Sequence, residues 1–448
     1  GPAARLRGRA AMSDPVPGPV PAPDLDAIRR ELHERLLATF DFEAVGRLSA
    51  DDLAARCRAQ VESMLDHSGR PLEPADRASG VQGVRDDAFR LGPLEPLVAD
   101  ARVTDIMVVS PDRVFVERLG RIERTPVRFR DRAHLMHVIH RIVRNAGRRI
   151  DERSPMVDAR LPDGSRVNAI IPPIALDGPQ LSIRRFPSEA LGLDRLVETG
   201  TLPAPTAELL RAAVAGRLNI IFSGGAGVGK TTMLNAASAS IGRGERVITI
   251  EDAAELRMAS PHVVRLETRA ANVEGVGEVT SRDLVRNALR MRPDRIVVGE
   301  CRGAEAMDML QAMNSGHAGS MTTLHANSAR DALHRLESML AMGGLDVPIR
   351  VLRDYVASAV DVIVQLARLP DGRRIVSEVV EVTASPEDGI RTETIHRFRL
   401  VGVRDGEVIG GFEATGGRPR FMALLESRGI RVDPAVFEPG LLGREAPG

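Results

Sequence analysis

The chain has 448 residues and equal numbers of basic and acidic side chains, 61 of each, so no global field draws it to nucleic acid or to an acidic membrane. Aromatic residues make up 3% of it, with no Trp and one Tyr, which argues against base-stacking platforms for single-stranded nucleic acid. Two cysteines, Cys57 and Cys301, give neither a disulfide framework nor a metal knuckle and fit a reducing cytosol.

The length predicts two or three domains. Residues 1–23 are rich in Pro, Ala and Arg and are expected to be disordered, with Gly1-Pro2 read as a protease scar and Met12 as the native start. Residues 24–90 read as three helical stretches, either a small bundle or helices that pack on a neighbouring subunit. Leu25, Ile28, Leu32, Leu36 and Leu37 share a face of the first, Val45 to Leu65 repeats the pattern, and the third runs from about Ala75 to Phe89. Residues 91–187 read as an α+β domain with mainly antiparallel strands. Its strands are Val103 to Val109, Arg113 to Glu117, Met156 to Leu161, Arg166 to Ile171 and Gln180 to Phe186, and its helix is Arg132 to Ala146. Residues 188–202 read as a linker.

From 203 to 448, strands alternate with helices: Leu218–Phe222, Arg246–Ile250, Val263–Glu267, Ile296–Val298 and Ser320–Leu324. That alternation argues a parallel or mostly parallel sheet. A hairpin signal follows, Val362–Leu366 and Arg374–Val382 around Pro370-Asp371-Gly372, then strands Arg397–Val403 and Glu407–Phe412 and a helix from about Pro419 to Arg428. No apolar run approaches the ~18 residues that span a bilayer, and no signal-peptide core is present, so membrane association is expected to go through a partner.

The chemistry concentrates in Gly224-Gly225-Ala226-Gly227-Val228-Gly229-Lys230-Thr231-Thr232, a match to G-x-x-x-x-G-K-[ST] between a short apolar strand and a helix running Lys230 to Ile241. Glycines there let backbone N–H groups turn toward phosphate oxygens, and the helix N-terminus adds positive potential. Lys230 is placed to reach the β- and γ-phosphates, and the Thr231 hydroxyl to ligate magnesium. Of the 61 basic side chains, Lys230 alone is lysine. A compact ammonium fits between phosphates where a wide guanidinium does not.

Hydrolysis also needs carboxylates, and two strand ends offer them. One strand runs into Glu251-Asp252-Ala253-Ala254-Glu255 and another into Glu300; both ends face the ligand crevice if the sheet is parallel. The same acids also suit helix N-termini, and Asp252 fits either reading. His325 falls at a third strand's carboxyl end, placed to sense the γ-phosphate, with His317 before that strand. Arg160, Arg166, Arg184 and Arg185 are candidate arginine fingers, acting in cis or from a neighbouring subunit.

These pieces resemble the secretion ATPase superfamily of type II and type IV machines, in particular the CpaF branch that powers Tad (Flp) pili. The resemblance covers roughly Leu91 to Leu369. Gly224 to Thr232 stands as Walker A, and Ile250-Glu251-Asp252 through Glu255-Leu256 as the Asp box. Arg292-Pro293-Asp294 through Glu300-Cys301-Arg302-Gly303 stands as an atypical Walker B, and Gly316-His317 through Thr322-Thr323-Leu324-His325-Ala326-Asn327 as the His box. It implies a RecA-like P-loop domain, an N-terminal PAS-like domain, and a homo-hexameric cytoplasmic ring that hydrolyses Mg-ATP and works on an inner-membrane platform protein. By the same resemblance Glu255 activates water, and Glu300 supports magnesium or the water. The chain departs from the pattern in lacking a four-cysteine zinc module and in carrying Ala253 where pilus ATPases usually have Pro. The alternatives are a traffic ATPase of a conjugative type IV secretion system, a DNA-moving RecA-like ATPase, and a non-hydrolysing nucleotide switch.

Overall fold

A computed structural model describes residues 50–68, 73–118, 120–185, 191–269, 276–343, 347–387 and 389–442, together with residue 271 and positions 28, 31, 32, 35 and 36. The expectation for residues 1–23, and those for Phe186 and the start of the linker, lie outside the described residues. The chain divides into two compact units, residues 1–161 with 165–185, and residues 162–164 with 186–448.

The first unit begins with α1 (Ala50–His67) and α2 (Pro74–Phe89), tied by an Arg77–Asp66 ion pair at 2.5 Å. Ile28, Leu32 and Leu36 are buried, as their shared face predicts. After the short α3 (Glu95–Ala99) come β1 (Val103–Ser110), β2 (Arg113–Arg118), β3 (Arg121–Arg124), α4 (Arg132–Asn145), β4 (Met156–Arg160), β5 (Arg166–Ile170) and β6 (Gln180–Arg184). The strands form one sheet in the order β3-β2-β1-β6-β5-β4. Each neighbouring pair is antiparallel. The apolar stripe Leu135, Val138, Ile139, Ile142 and Val143 of α4 packs in one core with alternate residues of the strands, among them Ile106, Val108, Val114 and Val116. Asp131 caps the helix by accepting from His134 N at 2.8 Å.

The second unit opens with α5 (Leu193–Glu198) and α6 (Ala204–Ala215). Here the linker expectation is corrected: Leu193, Leu196 and Leu202 are buried in the main core, so the second half of 188–202 is part of the unit. Then come β7 (Ile220–Gly224), α7 (Lys230–Ser238), β8 (Val247–Glu251), β9 (Val263–Glu267), α8 (Ser281–Ala288), β10 (Arg295–Cys301), α9 (Glu305–Asn314), β11 (Met321–Leu324), α10 (Ala329–Met342) and α11 (Ile349–Ala359). The last elements are β12 (Val362–Arg368), β13 (Arg374–Ser385), β14 (Gly389–Arg404), β15 (Glu407–Ala414), α12 (Met422–Ser427) and β16 (Gly440–Leu441).

All ten strands join one sheet, ordered β16-β15-β14-β13-β12-β7-β11-β10-β8-β9. The strands from β12 to β9 are parallel, and β13 to β16 extend the sheet with antiparallel pairs. Side chains alternate between two cores, as a sheet covered on both faces requires. Ile220 and Phe222 of β7 pack with α6, α7 and α12, while Ile221 packs with α8 to α11.

Polar ties lock the amino ends of the central strands. Asn219 donates its main-chain N–H to Asp361 Oδ2 at 2.7 Å and its amide to Ala359 O at 2.7 Å. Its side-chain Oδ1 accepts from Gly319 N at 2.9 Å and Ser320 N at 3.1 Å. Beside it, Arg295 is 0% exposed and donates both Nε and Nη2 to the Glu245 carboxylate at 2.8 Å. Such a buried pair is tolerable because its geometry is bidentate. These ties set the register of β7, β11, β10 and β8, whose opposite ends carry the site.

Candidate functional site

The loop after β7 is a cradle made by backbone conformation. Gly224 has φ 157°, and a Cβ there would stand 2.6 Å from Val228 Cγ2 and 2.8 Å from Leu366 O, so only glycine fits beside β12. Gly229, at φ 98°, precedes the first residue of α7 and turns the chain into the helix. Gly225, Ala226, Gly227, Val228, Thr231 and Thr232 complete the loop and the first helical turn, where N–H groups have no helical acceptor.

Lys230 lies at that helix start and is 7% exposed. Its Nζ donates to Gly225 O at 2.8 Å and stands 3.2 Å from His325 Nε2. Burial pushes the ammonium below the usual lysine range, and Glu300 pulls it back. His325 follows β11, next to β7 in the sheet, and its Nε2 is 2.8 Å from Glu300 Oε1 on β10. Burial, then Lys230, holds the imidazole below its ordinary pKa, so it is neutral at pH 7 with one N–H. An ammonium only donates, so Nε2 accepts from Lys230 and the ring N–H sits on Nδ1, while Glu300 Oε1 stands close without a hydrogen bond.

Glu300 is held from the other side by Arg302, whose Nη2 is 2.5 Å from Oε2, while Nη1 lies 3.5 Å from Asp252 Oδ2. The tips of β8 and β10 are thus linked. Glu251, at the end of β8, is 4% exposed, and burial raises its pKa. Its Oε2 accepts the main-chain N–H of Glu255 at 2.6 Å and of Leu256 at 2.8 Å, so this carboxylate shapes the turn that presents Glu255. Asn235 of α7 fastens the same turn by accepting from Arg257 N at 2.9 Å.

The structure therefore brings Lys230, Thr231, His325, Glu300, Glu251 and Glu255 to the carboxyl ends of adjacent parallel strands. His317 goes elsewhere: it precedes β11 and so sits at the opposite end of that strand from His325. Sequence reasoning gave no role to Arg302 or Asn235. Arg302 had a signal, because residues two apart in an extended segment share a face and Glu300 is its i−2 neighbour. Asn235 had none, since its partner is 22 residues away.

The candidate fingers belong to the first unit. Arg160 pairs directly across from Arg166, and Arg166 across from Arg184, so three guanidinium groups share one face of β4, β5 and β6. Like charges directly opposite are unfavourable in a sheet. Asp105 offsets part of the cost, taking Arg184 Nε at 3.1 Å. Arg185 donates to the backbone carbonyls of Asp100 and Val103, which binds the end of β6 to the start of β1.

The second unit's donors fit a magnesium-bound triphosphate. The cradle excludes a Cβ at Gly224, an ammonium and a hydroxyl sit at the helix start, and Glu251 Oε1 is buried with no partner. Among the described residues, no group of three or more His, Cys, Asp or Glu could hold a metal. Magnesium, which commonly takes one or two carboxylates plus phosphates, does not need such a cage.

A parallel sheet with a phosphate cradle at a central strand, and acids at the tips of its neighbours, defines a P-loop nucleotide-binding fold. The chain belongs to the type II/IV secretion system protein family, whose model matches residues 87–399. It is 41% identical over 310 residues to a putative conjugal transfer protein of Mycobacterium tuberculosis, covering 68% of this chain and 87% of the relative. Against the conjugal transfer protein TrbB of Rhizobium radiobacter it is 35% identical over 303 residues, 66% of this chain and 88% of that one. Among solved structures, the VirB11 ATPase of the Brucella suis type IV secretion system, in complex with sulphate, matches at 30% identity with a TM-score of 0.35, covering 64% of this chain and 95% of that one. No helix of the described residues is long and apolar enough to cross a membrane.

Proposed function

We propose that this chain is a magnesium-dependent ATPase that powers transfer through a type IV secretion-type machine. The carrying observation is the convergence of Lys230, His325 and Glu300 beside the glycine cradle. The backbone N–H groups of Gly225 to Thr232 bind and orient the phosphates, and Lys230 sets positive charge where it develops during transfer. Thr231 and Glu300 would hold magnesium, which would supply Lewis-acid stabilisation of the phosphate oxygens. Glu255, on the turn shaped by Glu251, orients the attacking water and takes its proton. His325 reports on the γ-phosphate through its contacts with Lys230 and Glu300.

The row Arg160, Arg166 and Arg184 suits recognition of phosphate by the first unit, with Arg185 fixing the strand beside it. The chain would work as a homo-hexameric ring. The ring would work at the cytoplasmic face of the membrane through an inner-membrane partner. The conjugal-transfer names of two relatives support transfer as the task. Assembly of a Tad-type pilus is the second reading. It rests on the order and content of the four motifs and on a cysteine count too low for the zinc module of pilus-extension ATPases.

Phosphate release by the purified full chain with magnesium tests the ATPase reading. Turnover in the wild type that rises with protein concentration and vanishes in Lys230→Ala is expected. A wild type that binds ATP but releases no phosphate, even as an assembled ring, overturns it. Deleting the gene and scoring conjugal transfer against pilus formation separates the two tasks.

A further inference from the structure

Among the described residues, the buried ammonium of Lys230 makes no ion pair within 4 Å, although an acid lies close by. Its polar neighbours are Gly225 O and His325 Nε2. Glu300 shares that imidazole nitrogen as a neighbour, through Oε1 at 2.8 Å. A carboxylate and an ammonium so placed, both largely shielded from water, attract strongly. Direct pairing would engage the charge that phosphates must meet.

Arg302 stands against that collapse. Its Nη2 holds Glu300 Oε2 at 2.5 Å, on the side of the carboxylate away from the oxygen facing His325. The guanidinium is itself fixed. Asp252 Oδ2 lies 3.5 Å from Nη1, and the Arg302 main-chain N–H is donated to Glu305 Oε1 at 2.5 Å. Arg302 therefore engages one oxygen of Glu300, and the other faces His325 rather than Lys230.

We propose that Arg302 is a positioning residue that holds the Glu300 carboxylate off Lys230, so that the ammonium stays available to a phosphate ligand. The role is played within one subunit and is distinct from that of a finger, because Arg302 acts through Glu300. It rests on the reading of the cradle as a triphosphate site.

The test measures binding of a fluorescent ATP analogue, with magnesium, to the full-length wild type and to Arg302→Ala, Arg302→Lys, Glu300→Gln and the Arg302→Ala/Glu300→Gln double variant. Phosphate release and thermal unfolding are measured in parallel. Arg302→Ala is expected to weaken binding about 10-fold, as loss of an outer partner commonly does. Arg302→Lys should recover part of the loss. The double variant should bind within about 2-fold of Glu300→Gln alone, because the carboxylate charge that captures Lys230 is gone. Wild-type affinity in Arg302→Ala overturns the proposal. So does a double variant weaker than Glu300→Gln by the factor that separates Arg302→Ala from the wild type, which marks a structural role. A wild type that fails to bind, or a Lys230→Ala variant that binds equally well, removes the triphosphate reading instead.

Discussion

His325 Nε2 stands 3.2 Å from Lys230 Nζ and 2.8 Å from Glu300 Oε1, between the ammonium and the carboxylate. With the imidazole neutral, Nε2 accepts from the ammonium, which can only donate, and the N–H sits on Nδ1. Asparagine at 325 is too short to replace it, and alanine removes the acceptor. His325→Ala should therefore lower turnover by about 10-fold or more, in the range seen when an outer ligand partner is lost. Steady-state phosphate release reads this out, and unchanged turnover would strike His325 from the site.

Glu251 and Glu255 are both acids of one loop, and the structure gives them different work. Glu251 accepts two main-chain N–H groups through one oxygen. Glutamine keeps an acceptor in that place, and its neutrality suits a position where burial already disfavours the charged carboxyl. Glu251→Gln should fold and keep most of its turnover. Glu251→Ala leaves two buried donors without partners, at about 1–3 kcal/mol each, and should lose both stability and turnover. A well-folded but inactive Glu251→Gln would instead assign Glu251 to the chemistry.

The second unit should soften in mild acid at His396. This side chain is 2% exposed, with Nδ1 2.9 Å from the Thr206 hydroxyl and Nε2 2.8 Å from Val436 O. The carbonyl fixes the N–H on Nε2, so Nδ1 accepts. Burial holds the folded pKa below the ordinary histidine value of about 6.5. The unfolded chain therefore takes up a proton as pH drops through 6.5 while the folded chain resists it, and stability falls toward acid and is restored above pH 6.5. Urea unfolding at pH 7.5 and 5.5 should show a smaller pH dependence in His396→Gln than in the wild type. An equal dependence would acquit His396.

Gly319 has φ 90°, and a Cβ there would lie 2.7 Å from Arg295 Nη1 and 3.0 Å from the Arg217 Cα. Arg295 cannot yield without breaking its pair with Glu245. Gly319→Ala should cost about 2–3 kcal/mol by strain and lost contacts. Chemical denaturation measures it, and a midpoint within error of wild type would show that this corner is loosely packed.

The parallel sheet was legible because its strands are continuous apolar runs broken by glycine and acidic clusters, and those breaks are the site. Lys230, Glu300 and His325 could be placed from this alone, since the strand direction carries each to the same edge. Role assignment was harder. Glu251 looks identical to Glu255 in sequence, and only burial and two backbone donors separate them. The linker was misplaced because Leu193, Leu196 and Leu202 are sparse among polar residues, and their burial depends on a core formed by distant strands. The row of arginines was equally hidden. Arg160, Arg166 and Arg184 become neighbours only through strand register, which a one-residue slip would have reversed.

The sheet of the second unit runs from the P-loop strand β7 through β12 to β16 as one hydrogen-bonded ladder. Force applied at that far margin is borne as shear between paired strands, and it arrives beside Gly224 with no loop in between to absorb it. The carboxy-terminal hairpins are thus mechanically in series with the phosphate cradle, and whatever grips them feels the cradle move.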